Sequence, residues 1–246
     1  MTSISISPLN VNKVSKAFGS QRVLDDVSFS LQSDEIFGLI GLNGVGKTTL
    51  IKIILNLLKS DEGTCKIFGV DSGEVKAHES LLYLPEKFQP SKYLTGLEYL
   101  DMSLSYYKKP MDIKKADSLA ERLDLDPAKL RFRVGAYSKG MGQKLGLLSA
   151  FMVDVPLLIL DEPMSGLDPS ARIKLKSLLI DYRNKGKTIF FSSHILSDID
   201  EICNRIGIIH SSKLQFIGTP ASFKQEFSGN SLEHCFLGAL SKYNAA

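Results

Sequence analysis

Apolar and polar positions change their period along this chain, and each change marks an element. Val11–Ala17 and Val23–Leu31 alternate weakly about a Gly-Ser turn, which predicts an antiparallel hairpin. Glu35–Ile40 is a short apolar run bounded by Gly41, the pattern of a buried strand. Thr48–Leu58 has helix formers with apolar positions on more than one face, so a buried helix is expected. Leu81–Leu84 reads as another short strand. Strand, loop, helix, strand in this order favours a parallel sheet with helices around it.

From Lys87 to Val153 the pattern becomes helix after helix. Thr95 and Glu98 form a capping-box pattern before Tyr99–Tyr107. Asp112–Leu123 places Ile113, Ala116, Leu119, Ala120 and Leu123 near helical spacing. Asp126-Pro127 starts a further short helix. Strand and helix alternate again from Leu157. Asp168-Pro169 caps a helix running to about Asn184, and Lys187–Ser192 is a strand. Arg205–His210 and Leu214–Ile217 read as a closing hairpin, and Thr219-Pro220 starts a C-terminal helix. The expected fold is α/β: a mixed sheet with helices, an N-terminal antiparallel part and an inserted α-helical subdomain. Residues 1–86 and 154–218 form the expected core, 87–153 the insertion and 219–246 a C-terminal helical extension.

Composition narrows the class without naming a function. The 246 residues suffice for one large domain, and 43% hydrophobic with 23% charged is ordinary for a globular protein. A net charge of +3 is too small to argue for nucleic acid. Cys65, Cys203 and Cys235 are too few and too widely spaced for a disulfide framework or a zinc site, so reduced thiols in a cytosolic protein are expected. The most apolar run, Leu145–Leu160, contains Asp154 and Pro156 and is too short to span a bilayer. The N-terminus lacks the order of a secretory signal. Work at a membrane therefore calls for a partner.

Two segments carry chemistry. Gly41–Thr49 matches G-x-x-x-x-G-K-[ST] between a predicted strand and a predicted helix, a phosphate loop (P-loop). Its glycines let backbone N–H groups approach phosphate oxygens, and the helix N-terminus adds partial positive charge. Asn43, Gly44, Gly46, Lys47, Thr48 and Thr49 are the expected cofactor-binding residues. Lys47 reaches the β- and γ-phosphates, and Thr48 coordinates Mg²⁺. The second segment is Leu157–Pro163, an apolar strand ending in Asp161-Glu162. Beside the phosphate loop, Asp161 would hold Mg²⁺ through water, and Glu162 would polarise the water that attacks the γ-phosphate. These residues predict a P-loop NTPase that uses a nucleoside triphosphate and Mg²⁺; the resemblance below makes that nucleotide ATP.

Ser138-Lys139-Gly140-Met141-Gly142-Gln143-Lys144 resembles the signature motif of ATP-binding cassette (ABC) ATPases, usually written LSGGQ. Tyr137, Lys139 and Met141 depart from it. Further elements stand in the family's order: Phe18 where an aromatic stacks on adenine, Ser165–Asp168 as the D-loop turn, and Ser192-Ser193-His194 as the switch histidine. The resemblance covers about residues 10–220. It implies that Glu162 and His194 are catalytic. It also implies that Phe18, Ser138, Gly140 and Asp168 contact nucleotide, Ser138 and Gly140 doing so on a second chain packed head to tail. Phe18 has a second reading as a packing residue. Leu82–Glu86 falls where the family has a strand ending in Gln. Glu86 still accepts from water or binds Mg²⁺, but supplies no donor when ionised.

The resemblance implies the ATP-hydrolysing subunit of an ABC transporter, acting as a homodimer or a heterodimer with a second ABC ATPase. A separate integral-membrane subunit would carry the substrate path and hold the chain at the inner face of the cell membrane. The family's contact groove lies between the core and the helical insertion, which would put Glu86 to about Glu98 at the membrane partner, with Tyr93, Leu94 and Leu97 suited to a partner helix or to simple packing. Glu86 together with YSKGM resembles the export-type branch, which includes antibiotic, drug and sodium exporters. A soluble ABC ATPase of iron–sulfur cluster assembly is the alternative. No nucleic-acid partner is expected.

Overall fold

The weak alternation of the first hairpin has a structural cause. In the computed structural model, which describes residues 6–245, β1 (Leu9–Phe18) pairs antiparallel with β2 (Gln21–Ser30), and the register shifts three times between Val11 and Ala17. Each bulge breaks the two-residue period. β3 (Ile36–Ile40) is buried at every position. The helix after it, α1 (Lys47–Ile54), is shorter than the expected Thr48–Leu58. Asn56 takes a left-handed conformation (φ 52°), and Leu57 N donates to Lys52 O at 2.8 Å. That is a Schellman stop, and it leaves Leu57 exposed.

Sequence patterning does not show the next pieces. β4 (Glu62–Ile67) pairs antiparallel with the free side of β1, and β5 (Val70–Asp71) extends the sheet to the order β2-β1-β4-β5. The β4 sequence EGTCKI buries only Cys65 and Ile67, so its alternation is too short to read. A four-residue helix, α2 (Val75–His78), leads into β6 (Leu81–Leu84).

Helices then dominate. α3 (Gly96–Tyr106) carries the predicted capping box at Thr95 and Glu98. α4 (Ile113–Arg122) is capped by Asp112, and Asp126 caps a 3₁₀ turn, Pro127–Arg131. α5 (Lys139–Val153) begins at the N-cap Ser138 and is buried at every position from Gln143 to Val153. Asp154 stops it in the left-handed region, just before β7 (Leu157–Asp161). α6 (Pro169–Asn184), β8 (Thr188–Ser193), α7 (Leu196–Ile202), β9 (Arg205–His210), β10 (Lys213–Gly218), α8 (Pro220–Glu226) and α9 (Leu232–Ala245) complete the described chain. Among the described residues, no helix is long and apolar enough to cross a membrane.

The larger sheet has the order β10-β9-β3-β8-β7-β6, parallel except for the β9–β10 hairpin. Its central strands separate two cores by alternation. Leu158 and Leu160 of β7 face the helices, whereas Leu157 and Ile159 face the antiparallel sheet. On that second side Phe29, Phe37 and Phe190 stack with centroids 5.4–6.0 Å apart. Phe190→Ala should therefore cost roughly 3–5 kcal/mol, measured as a fall in the urea midpoint at unchanged slope. Because β3, β6, β7 and β8 run parallel, their carboxyl ends share one edge. In open α/β sheets that edge is where ligands bind.

Candidate active site

The carboxyl edge brings four loops together. The loop after β3 leads into α1 with Gly46 at its N-cap, in a φ of 114°. A β-carbon there would approach Val23 O to 3.0 Å, so glycine serves both conformation and space. No side chain caps α1, and its first turn holds no acid. Its first N–H groups are free to meet an anion.

A cavity of about 280 Å³ opens beside this loop. Asn43, Gly44, Gly46, Lys47, Thr48 and Thr49 line one wall, and Glu86, Glu162 and His194 the other. Lys47 is 6% exposed, and its Nζ donates to Gly41 O (2.7 Å) and Leu42 O (3.4 Å). The same ammonium lies 3.6 Å from Glu162 Oε1. That distance makes an ion pair but no hydrogen bond, so this buried oxygen has no hydrogen-bond partner. Thr48 Oγ1 donates to Asp161 Oδ2 at 2.9 Å. Thus α1 and β7 meet through two of the three residues read as metal-binding.

Glu162 is held from three sides. Its N–H donates to Ser192 O (3.2 Å) and Ser192 Oγ (3.1 Å). His194 Nδ1 lies 2.8 Å from Glu162 Oε2, which also receives the His194 N–H at 3.4 Å. The backbone of Glu162 is left-handed, with φ 50°. A glutamate tolerates that conformation only where its surroundings impose it. Ser192 Oγ also donates to Asp161 Oδ1, so one hydroxyl positions both acids. In the sequence Ser192 stands only as part of the triplet that ends in His194; its register opposite Asp161 supplies the role.

Charge converges here as well. Burial first, then the Asp161 and Glu86 carboxylates, push the Tyr83 phenol up to about 12. The donor set suits a hard cation: a threonine hydroxyl, the Asp161 carboxylate and the nearby Glu86 carboxylate are all oxygen ligands.

Five predicted residues do not line this cavity: Asp161, which is joined to it through Thr48, and four that stand apart. Phe18 stands 52% exposed at the β1–β2 tip, with Lys16 Nζ 5.7 Å from its ring centroid. Ser138 caps α5, accepting from Met141 N at 3.2 Å, and Gly140 follows it in the first turn. Asp168 caps α6 by accepting from Ala171 N at 2.9 Å. That bond, with Lys144 beside it, holds the Asp168 carboxyl below its ordinary range. Ser138 instead lines a second groove of about 360 Å³, which Glu86 shares.

A parallel sheet edge with a glycine loop, a Thr–Asp pair and a Glu–His pair defines a P-loop NTPase fold. The chain belongs to the ABC transporter family, whose model matches residues 24–165. An ABC transporter ATP-binding protein of Nostoc sp. is 37% identical over 202 residues, covering 80% of this chain and 59% of the relative. The corresponding Synechocystis protein is 36% identical, and this chain spans 57% of it. The ABC-type transporter ATP-binding protein EcsA of Bacillus subtilis is 30% identical, over 90% of this chain and 91% of EcsA. A solved structure described as the ATP binding subunit of an ABC transporter superposes with a TM-score of 0.87 at 31% identity, covering 94% of this chain and 98% of that one.

Proposed function

We propose that this chain binds and hydrolyses ATP to power transport, in the export direction, through a separate integral-membrane subunit. The observation that carries the reading is the convergence of Lys47, the Thr48–Asp161 pair and the Glu162–His194 pair on one cavity edge. In this reading the loop N–H groups and Lys47 bind the β- and γ-phosphates. Thr48, Asp161 and Glu86 would hold Mg²⁺, which neutralises phosphate charge when bound. Glu162 orients and deprotonates the attacking water with the oxygen that has no hydrogen-bond donor, while His194 fixes the other. Phe18 offers an exposed ring face for adenine.

Ser138, Gly140 and Asp168 do not line the cavity, which supports their serving the nucleotide of a second chain packed head to tail. The α5 N-terminus has no acid in its first turn, as an anion-facing helix end requires. Residues 1–86 and 154–218 act as the core, 87–153 as the helical arm and 219–246 as an extension; residues 1–5 and 246 lie outside those described. The exposed Tyr93 and its neighbour Lys92 suit the membrane subunit's contact. The Glu86 and YSKGM resemblance supports export.

Two measurements test this. Purification from membranes should recover a polytopic membrane protein with the chain; a soluble scaffold in its place would favour cluster assembly. Ser138→Arg should remove the ATP-dependent doubling of mass in light scattering while monomer ATP affinity stays within about threefold. Dimers of normal yield would refute the cross-chain role.

A further inference from the structure

α5 and the loop that follows Glu162 touch at three successive points. A β-carbon on Gly140 would lie 3.1 Å from Gly166 O, so the helix end packs directly on the turn's backbone. Three residues on, Gln143 is 5% exposed and its Nε2 donates to Pro163 O at 3.3 Å. Pro163 directly follows Glu162. Next, the ammonium of Lys144, 8% exposed, lies 3.6 Å from Asp168 Oδ2 and donates to Asp124 O at 2.8 Å. Asp124 also pairs with Lys174 of α6 at 2.6 Å.

Contacts at Pro163, Gly166 and Asp168 span the whole loop from the catalytic acid to the α6 cap. A buried amide and a buried ammonium are costly to leave unpaired, so these bonds fix where the loop sits. We infer that Gln143 and Lys144 are positioning residues that make the start of α5 and the 163–168 loop one joint, so that the helix sets the placement of Glu162. The inference rests on the role proposed for Glu162. It gives the two residues after the signature turn a task inside their own chain. Movement of the helical arm then reaches the acid through the Pro163 carbonyl and not only through nucleotide.

The test compares Gln143→Leu and Lys144→Met with Lys144→Arg, which keeps the charge. Arg122→Ala is the control; it removes an exposed α4–α6 pair, Arg122–Asp181 at 2.5 Å. Amide hydrogen exchange of the full chain should speed up about 10-fold or more across residues 164–172 in the first two variants. Residues 41–49 should exchange as in the wild type, as should both segments in Lys144→Arg and Arg122→Ala. ATP turnover should fall about 10-fold in the first two, with KM for ATP within about twofold, because geometry is lost and binding is kept. If Lys144→Met does not fold, Asp168→Asn removes the same pair from the other side. Unchanged exchange across 164–172 overturns the joint, and so does a KM that rises as far as kcat falls. A wild-type chain without ATP turnover would sink the proposed function, while exchange would still decide the joint.

Discussion

Lys47→Ala is expected to weaken ATP binding by roughly 100-fold or more, the loss of about 3 kcal/mol of charge-assisted contact. Lys47 is the buried cation of the cavity wall, and it already bridges the loop by donating to Gly41 O and Leu42 O. Its replacement removes the phosphate's partner and the bonds that hold the loop closed. It also leaves Glu162 Oε1, now 3.6 Å from the ammonium, without a countercharge. Two consequences separate these effects. Calorimetric titration with MgATP reads the lost affinity, and thermal unfolding without nucleotide reads the cost of the uncompensated acid. Lys47→Arg should not restore binding, because a planar guanidinium does not fit a point charge's place in a tight loop. Affinity within threefold of wild type in Lys47→Ala would remove the phosphate-loop assignment.

The ion pair between Lys47 and Glu162 was not legible in the sequence, and the reason is physical. Each residue is visible as part of its own motif, but their approach depends on β3 and β7 lying on either side of β8. Motifs report what each strand end carries; the register decides which ends meet. Elements with strong local signals were readable: the Thr95 box, the Asp168 cap, the helical spacing after Asp112, and apolar β3, β6 and β7. α6 was readable from its Asp168-Pro169 start to about its last residue, Asn184. β4 was not, because four of its six residues face solvent, three of them in a row at its start. α7 was not either; its seven residues follow His194 without a side-chain cap. The role of Ser192 likewise needed register, because a serine before a histidine has no period of its own.

Glu162→Gln should lower ATP turnover by about 10²–10⁴-fold, the usual span for losing a general base, while affinity for ATP holds or improves. The substitution keeps the side chain's length and shape. Its carbonyl oxygen can accept from His194 Nδ1 and N–H, now directed at Oε2. What disappears is the buried acceptor oxygen that has no hydrogen-bond partner, and with it the charge that holds Lys47 at 3.6 Å. In the proposed mechanism the first loss should stop proton removal from water, and the second should release Lys47 toward phosphate. ATP should then persist uncleaved, and the head-to-tail pair should accumulate as a species of doubled mass on incubation with MgATP. His194→Ala is the informative companion. It leaves the acid's charge but frees Oε2, so turnover should fall while Lys47 stays paired and affinity changes little. Single-turnover rates and light scattering on the same samples read both parts. Wild-type turnover in Glu162→Gln would show that the acid is not the base, and a monomer that retains uncleaved ATP would separate hydrolysis from dimerisation.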